Sequence, residues 1–351
     1  MTPAALFLPL ALAAGAAAPP QAPQGAMPGA VCDRDGSGNL LPGQREYFWP
    51  EVHPVWAFCA VRPANSGGTN GSHLELYNVR FRDHLVLKRA HSPILNVNYL
   101  PGGCGGSNHC YRDWSDEERS FQADNVVAPG FSEPTAPATT VCEHPRTDIG
   151  SFAGVAAENR DNQELLLSSQ TSAGWYRYIA RWRFFADGRM TGSFSFAAVN
   201  SSCIQFTHTH HNYWRLDFDI DGPENDYIFQ SRPAGKPAVV GVEGKTLRGP
   251  EYWIVRDGLA GRGYKLTPGA SVAADAFANS DLWFLRYKPS EIDDSIPSLS
   301  TCPIQIDPFI NGESLRGQDV VVWLRGGGFH QGGDFDHCGT VDFNLEPVGD
   351  W

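Results

Sequence analysis

The sequence is short of several things, and each shortage narrows what the chain does. Helical periodicity is nearly missing: of the 351 residues, only 270–278 suggest a short helix. Positive charge is scarce, with 27 Lys and Arg against 39 Asp and Glu and a formal net charge of −12. That balance argues against nucleic acid or an anionic membrane surface as partner and suits a cationic ligand. Beyond the first residues, no apolar run approaches the roughly 20 residues needed to span a bilayer. None of the eight cysteines is spaced Cys-x-x-Cys, which argues against a zinc ribbon. No internal repeat and no second domain is evident.

What is present reads as a secreted or periplasmic β protein. Residues 1–18 have an apolar stretch ending in Ala16-Ala17-Ala18, the pattern of a cleaved signal peptide. Residues 19–45 are a Pro-, Ala- and Gly-rich linker and lead-in, expected to be disordered, and residues 46–351 form one domain. Eight cysteines fit an oxidising compartment; Cys104 and Cys110 are close enough for a local bridge, and the other pairings stay open. Asn70 and Asn200 open Asn-x-Ser acceptor sites. Alternating segments at 74–82, 84–88, 93–99, 163–171, 175–185, 190–198, 206–222, 252–256, 281–287, 319–324 and 340–345 predict strands, with Asp187-Gly188 as a hairpin turn. Many strands at short spacing imply an all-β fold, a large antiparallel β-sandwich.

The organising stretch is 206–222, with His208-Thr209-His210 near its start. On a strand, positions two apart share a face, so His208 and His210 project together at about 7 Å between Cα atoms, while His211 points away. A third imidazole, His330, follows a buried strand that runs through Gly326-Gly327-Gly328. Glycines there let backbone approach a crowded site. Three nitrogen donors without a thiolate suit copper(II), zinc or non-haem iron, and spacing does not separate copper from zinc. Asp217, Asp219 and Asp221 alternate on the face opposite to His208 and His210; this reads as a solvated acidic edge or as an oxygen-rich site for calcium.

From residue 56 onward the chain resembles the catalytic domain of the copper amine oxidases, the topaquinone enzymes. The resemblance lies in the order and spacing of several motifs. These are Asn78-Val79-Arg80, Gly174-Trp175-Tyr176-Arg177-Tyr178 before Trp182, and His208-x-His210 before Arg215-Leu216-Asp217. They continue with Gly263-Tyr264-Lys265-Leu266, Asp281-Leu282-Trp283, and Trp323 seven residues before His330. The resemblance implies that His208, His210 and His330 hold copper and that Tyr176 is the tyrosine converted to quinone. It implies further that Asp113 is the catalytic base, with Asp116 the alternative, that Tyr99 hydrogen-bonds the quinone, and that calcium is an additional ion. The implied reaction is oxidative deamination of a small-molecule primary amine by dioxygen, and a homodimer is the family's assembly. The alternative is a mononuclear three-His copper protein without the quinone, with other oxygen chemistry or a ligand-binding role. Departures are specific: Trp175 stands where the family has Asn, Arg177 where it has an acid, and the acidic run after the last His is reduced to Asp334-Phe335-Asp336.

Overall fold

Nearly every alternating segment becomes a strand, and the strands pair into two large sheets. The computed structural model describes residues 29–67, 72–99, 130–144, 152, 154–173, 175–199, 202–249, 251–289 and 306–351, and the backbone of 109–111. With strands numbered in chain order, the first sheet runs from edge to edge as β1 (Gln44–Trp49), β2 (Trp56–Val61), β3 (Glu75–Phe81), β4 (His84–Tyr99), β11 (His208–Phe218), β18 (Val320–His330), β17 (Leu282–Arg286) and β14 (Gly244–Thr246), with β5 (His109–Tyr111) paired to β4. The second runs as β13 (Ala238–Val240), β12 (Asp226–Gln230), β15 (Trp253–Asp257), β16 (Gly263–Pro268), β19 (Cys338–Val348), β10 (Met190–Ala198), β9 (Tyr176–Phe185), β8 (Glu164–Ala173), β7 (Val155–Arg160) and β6 (Phe131–Ser132). Pairing is antiparallel throughout, except between β6 and β7.

Side-chain period two explains the sandwich. Along β9, Tyr176, Tyr178, Trp182 and Phe184 are buried in the main core, while Arg177, Arg181 and Arg183 are half-buried on the other face. Strand β19 does the same with Val341, Phe343 and Leu345. Facing them from the first sheet are Trp214, Leu216 and Phe218 of β11 and Val320, Val322 and Leu324 of β18. Rings fill the gap between the sheets: Phe58 stacks on Phe184 at 4.1 Å between centroids, and Trp56 meets Phe184 edge-on at 5.2 Å. Burying one such ring stabilises the fold by about 1.5–3 kcal/mol.

Three local expectations change. Residues 84–88 and 93–99, read as two strands, are one continuous β4 with Pro93 inside it. The proline is tolerated because β4 bulges against β11 there: the pairing steps from Tyr213 opposite Ile94 to Arg215 opposite His91, so Ser92 and Pro93 face Trp214 alone. A residue without an amide hydrogen fits where the ladder is already broken. Residues 270–278 form no helix. Val272 donates its amide to the Gly327 carbonyl, and the Asp275 carboxylate accepts from the amides of Phe277 and Ala278. The lead-in expected over 19–45 is fastened from Val31 onward. Cys32 is bridged to Cys59, and Asn78 donates its side-chain amide to the Val31 carbonyl at 2.7 Å. A second disulfide joins Cys142 to Cys338 at the start of β19. The signal segment 1–18, Cys104, Asn70 and Asn200 lie outside the described residues. Among the described residues, no helix is long and apolar enough to cross a membrane.

Candidate metal centre

Strand register alone brings two of the predicted ligands together. His208 of β11 pairs directly with His330 of β18, and His210 lies opposite Gly328. Both strands sit in the middle of the first sheet, and the three imidazoles are 0–1% exposed. Because Trp214 and Leu216 on the even face of β11 enter the inter-sheet core, His208 and His210 do too. The glycines make room for them: a Cβ on Gly328 would collide with the Phe196 ring, and one on Gly326 would lie 2.7 Å from Val341 Cγ2 and 2.8 Å from Trp214.

Tyr176 reaches into this cluster from β9 of the opposite sheet. Its Oη lies 2.7 Å from His208 Nε2 and hydrogen-bonds His330 Nδ1. Its ring centroid is 5.4 Å from that of His208, 4.5 Å from His210 and 5.9 Å from His330. The second nitrogen of each of these two ligands is held by a main-chain carbonyl: His208 Nδ1 donates to Phe206 O at 2.6 Å and His330 Nε2 to Asp334 O at 2.7 Å. That assignment leaves His208 Nε2 and His330 Nδ1 as lone-pair donors aimed at the phenol oxygen, the arrangement that orients imidazoles for a metal. His210 Nε2 is buried without a hydrogen-bond partner, while its Nδ1 lies 3.4 Å from Tyr178 Oη. A buried nitrogen left without a partner is destabilising, and a metal ion is a partner that removes the penalty.

Electrostatics prepare the same chemistry. Burial pushes the His208 imidazole down to about 4, and burial together with the neighbouring imidazoles holds His210 well below its usual range; His330 is also lowered by burial. All three are therefore neutral at pH 7, as metal ligation requires. Burial, with the charge that Tyr99 would carry, raises the Tyr176 phenol, so it stays protonated unless something positive lies beside it.

The structure brings together five of the six predicted site residues. Tyr99 stacks on His208 with centroids 4.4 Å apart, and its Oη accepts a hydrogen bond from Trp175 Nε1 at 3.1 Å. Asp113 and its alternative Asp116 lie outside the described residues. Two neighbours escaped the sequence reading. Phe196 of β10 packs its ring on His210 at 4.0 Å, and His337 lies parallel to His330 at 4.8 Å and 11°. The Trp175–Tyr99 contact was equally hidden, because it joins residues 76 apart in sequence across the two sheets.

Searches over protein-family models and curated proteins find no match to the chain. Solved structures do match. A copper-containing benzylamine oxidase from Hansenula polymorpha superimposes with a TM-score of 0.58 over 93% of this chain and 63% of that one, at 15% identity. Pichia pastoris lysyl oxidase gives 0.59 over 84% and 51% at 17% identity, and an Aspergillus nidulans amine oxidase 0.55 over 95% and 55% at 15%. The fold is that of the copper amine oxidases. This chain spans about half to two thirds of the length of those amine oxidases. At such identity the likeness establishes architecture alone.

A second donor cluster sits at the other end of the same two strands. Asp217, Asp219 and Asp319 bring one carboxylate oxygen each within 4.8 Å of one another, the only three-donor group this tight among the described residues. The three histidines do not form a group this tight, and the Tyr176 hydroxyl lies against two of them. The expected solvated edge of Asp217, Asp219 and Asp221 is thereby corrected. Asp217 and Asp219 are 4% and 6% exposed, whereas Asp221 turns away at φ 62° and pairs with His84 at 2.7 Å. Its place is taken by Asp319, the residue immediately before the neighbouring strand β18. Burial and the adjacent carboxylates push Asp219 up to about 7 and Asp319 up to about 8. Oδ1 of each has no hydrogen-bond partner, so an oxygen-seeking cation fits here.

Proposed function

We propose that this protein is a secreted copper-dependent amine oxidase that converts a primary amine, dioxygen and water to an aldehyde, ammonia and hydrogen peroxide. The observation that carries the reading is the Tyr176 hydroxyl held by nitrogens of His208 and His330, with the ring of His210 beside it. His208, His210 and His330 would hold copper(II), and Tyr176 would be the residue oxidised in place to topaquinone. The metal would supply dioxygen activation, and the quinone an electrophilic carbonyl for the amine.

The chain's own residues have separable tasks. The carbonyls of Phe206 and Asp334 fix the tautomers of two ligands. Tyr99, stacked on His208 and held by Trp175, orients the cofactor edge with its hydroxyl. Asp113 takes the substrate's α-proton, and Asp217, Asp219 and Asp319 bind calcium as a structural ion. Tyr176→Phe tests the reading. Copper-loaded, aerated wild type should develop a visible band that shifts with phenylhydrazine, and should release peroxide from primary amines. The variant should keep its copper and lose both. Turnover that survives Tyr176→Phe refutes the proposal.

A further inference from the structure

We propose that Tyr178 is a positioning residue of the metal centre. Its hydroxyl accepts the Nδ1–H of His210 and so leaves Nε2 of that ring as the lone-pair donor. This role depends on His208, His210 and His330 holding a metal, and it names the residue that sets the third of them.

The three imidazoles are not held alike. The second nitrogens of His208 and His330 meet the carbonyls of Phe206 and Asp334 at 2.6 and 2.7 Å. A carbonyl only accepts, so both of those tautomers are fixed before any metal arrives. His210 meets a hydroxyl instead. Its Nδ1 lies 3.4 Å from Tyr178 Oη, the one hydrogen bond of this side chain among the described residues. A hydroxyl can donate or accept. If Tyr178 donates, the imidazole proton sits on Nε2 and blocks the metal. If it accepts, the proton sits on Nδ1 and Nε2 is open to ligate. With a metal on Nε2, Nδ1 has to carry the proton, and a buried N–H without an acceptor is penalised. His210 and Tyr178 are 0% and 1% exposed, so bulk water does not replace the phenol as acceptor.

The hydroxyl is held in place by its ring. Tyr178 follows Tyr176 by two positions on β9, so both project from the same inward face. The Tyr178 ring lies near-parallel to Tyr176, at 5.9 Å and 16°, and to Phe194, at 5.4 Å and 21°. It meets the His210 ring edge-on at 5.6 Å and 67°. Phe196 packs closer to His210, at 4.0 Å, but brings no polar atom. Packing of the third ligand therefore comes from Phe196 and its polarity from Tyr178. One strand then supplies two phenols with different tasks: Tyr176 against His208 and His330, and Tyr178 against His210.

The experiment uses the full chain under argon, so that Tyr176 stays a phenol. Zinc(II) and copper(II) are titrated into wild type, Tyr178→Phe and Tyr47→Phe against a competing chelator. Affinity for both ions should fall about 10- to 100-fold in Tyr178→Phe, the range for losing a hydrogen bond behind a ligand. It should not change in Tyr47→Phe, a buried tyrosine of β1 four strands away from β11. Pulsed electron spin resonance of the copper(II) form then reads the imidazole nitrogens that do not touch the metal, which a merely structural role would leave alone. Wild type should show two of them in strong hydrogen bonds and one in a weaker bond, and only the weaker one should shift in Tyr178→Phe. The wild-type spectrum carries the test if the variant misfolds. Equal affinity in wild type and Tyr178→Phe, or three equivalent remote nitrogens in wild type, overturns the assignment. If the metal reading fails instead, wild type binds neither ion more tightly than His208→Ala does.

Discussion

Strands β11 and β18 carry two clusters of donor atoms, and burial treats them in opposite ways. At one end are His208, His210 and His330, facing the inter-sheet core. About nine residues along, roughly 30 Å at strand rise, are Asp217, Asp219 and Asp319, on the other face. Removing water disfavours the charged form of either group. For imidazole the charged form is the one that cannot bind metal, so burial readies the histidine end at neutral pH. For carboxylate the charged form is the one that does bind, so burial leaves the aspartate end to choose between a proton and a cation. One pair of strands thus offers a nitrogen site whose donors are already in the metal-binding form and an oxygen site that, beside the Arg215–Asp217 pair, must lose protons to take a cation.

The largest effect that breaks the comparison is loss of a nitrogen ligand. His330→Ala removes the donor directly across from His208 and opens a cavity beside Tyr176. Copper content, measured on metal-loaded protein, should drop from about one ion per chain to near zero, and amine turnover to background. Calcium binding at the far end should be unchanged. Loss of both ions together would show that the two ends are not independent.

The aspartate end predicts a change of sign. At pH 8 without calcium, Asp319→Asn replaces a carboxyl that burial disfavours as an anion by a neutral amide, so the variant should melt higher than wild type. With calcium at 100 times its dissociation constant, wild type gains about 2.7 kcal/mol and should overtake a variant that gains little. Thermal melts with EDTA and with calcium measure both signs. Identical calcium responses in the two proteins would remove the ion from this cluster.

How much of this was legible depends on how local each relation is. The facing of His208 and His210 is a matter of parity along one strand, and parity needs no tertiary knowledge. The glycines before His330 carried a steric signal that the contacts of Gly326 and Gly328 explain. Asp319 was missed and Asp221 wrongly included because the acidic site depends on which strand lies beside β11, and register across a sheet is not written in either strand alone. Pro93 read as a strand boundary because the β4 bulge that tolerates it is visible only in the pairing of β4 with β11. The alanines of 270–278 read as helix, but the segment is held across β18 by single hydrogen bonds rather than by its own propensity. Motif order supplied the fold where periodicity could not.

The smallest effect concerns a buried imidazole outside both clusters. His73 is 1% exposed, sits edge-on to Phe194 at 5.7 Å, and is pushed down by burial to about 3. Its folded pKa lies below the unfolded value near 6.5, so the unfolded chain binds the extra proton first. The stabilising difference is full above pH 6.5 and shrinks as pH falls from there toward 3. At pH 5 the loss is about 2 kcal/mol relative to pH 7.5, from 1.36 kcal/mol per pH unit. His73→Leu has no such proton to bind, and its urea midpoint should fall less between those two pH values than that of wild type. The histidine end adds a control. Copper loading should steepen the acid dependence through His208, His210 and His330, and should leave the increment due to His73 as it was. If His73→Leu tracks wild type at every pH, burial alone does not set the charge of imidazoles in this core. The neutrality of the metal centre would then have to come from the phenol and carbonyl contacts of its own residues.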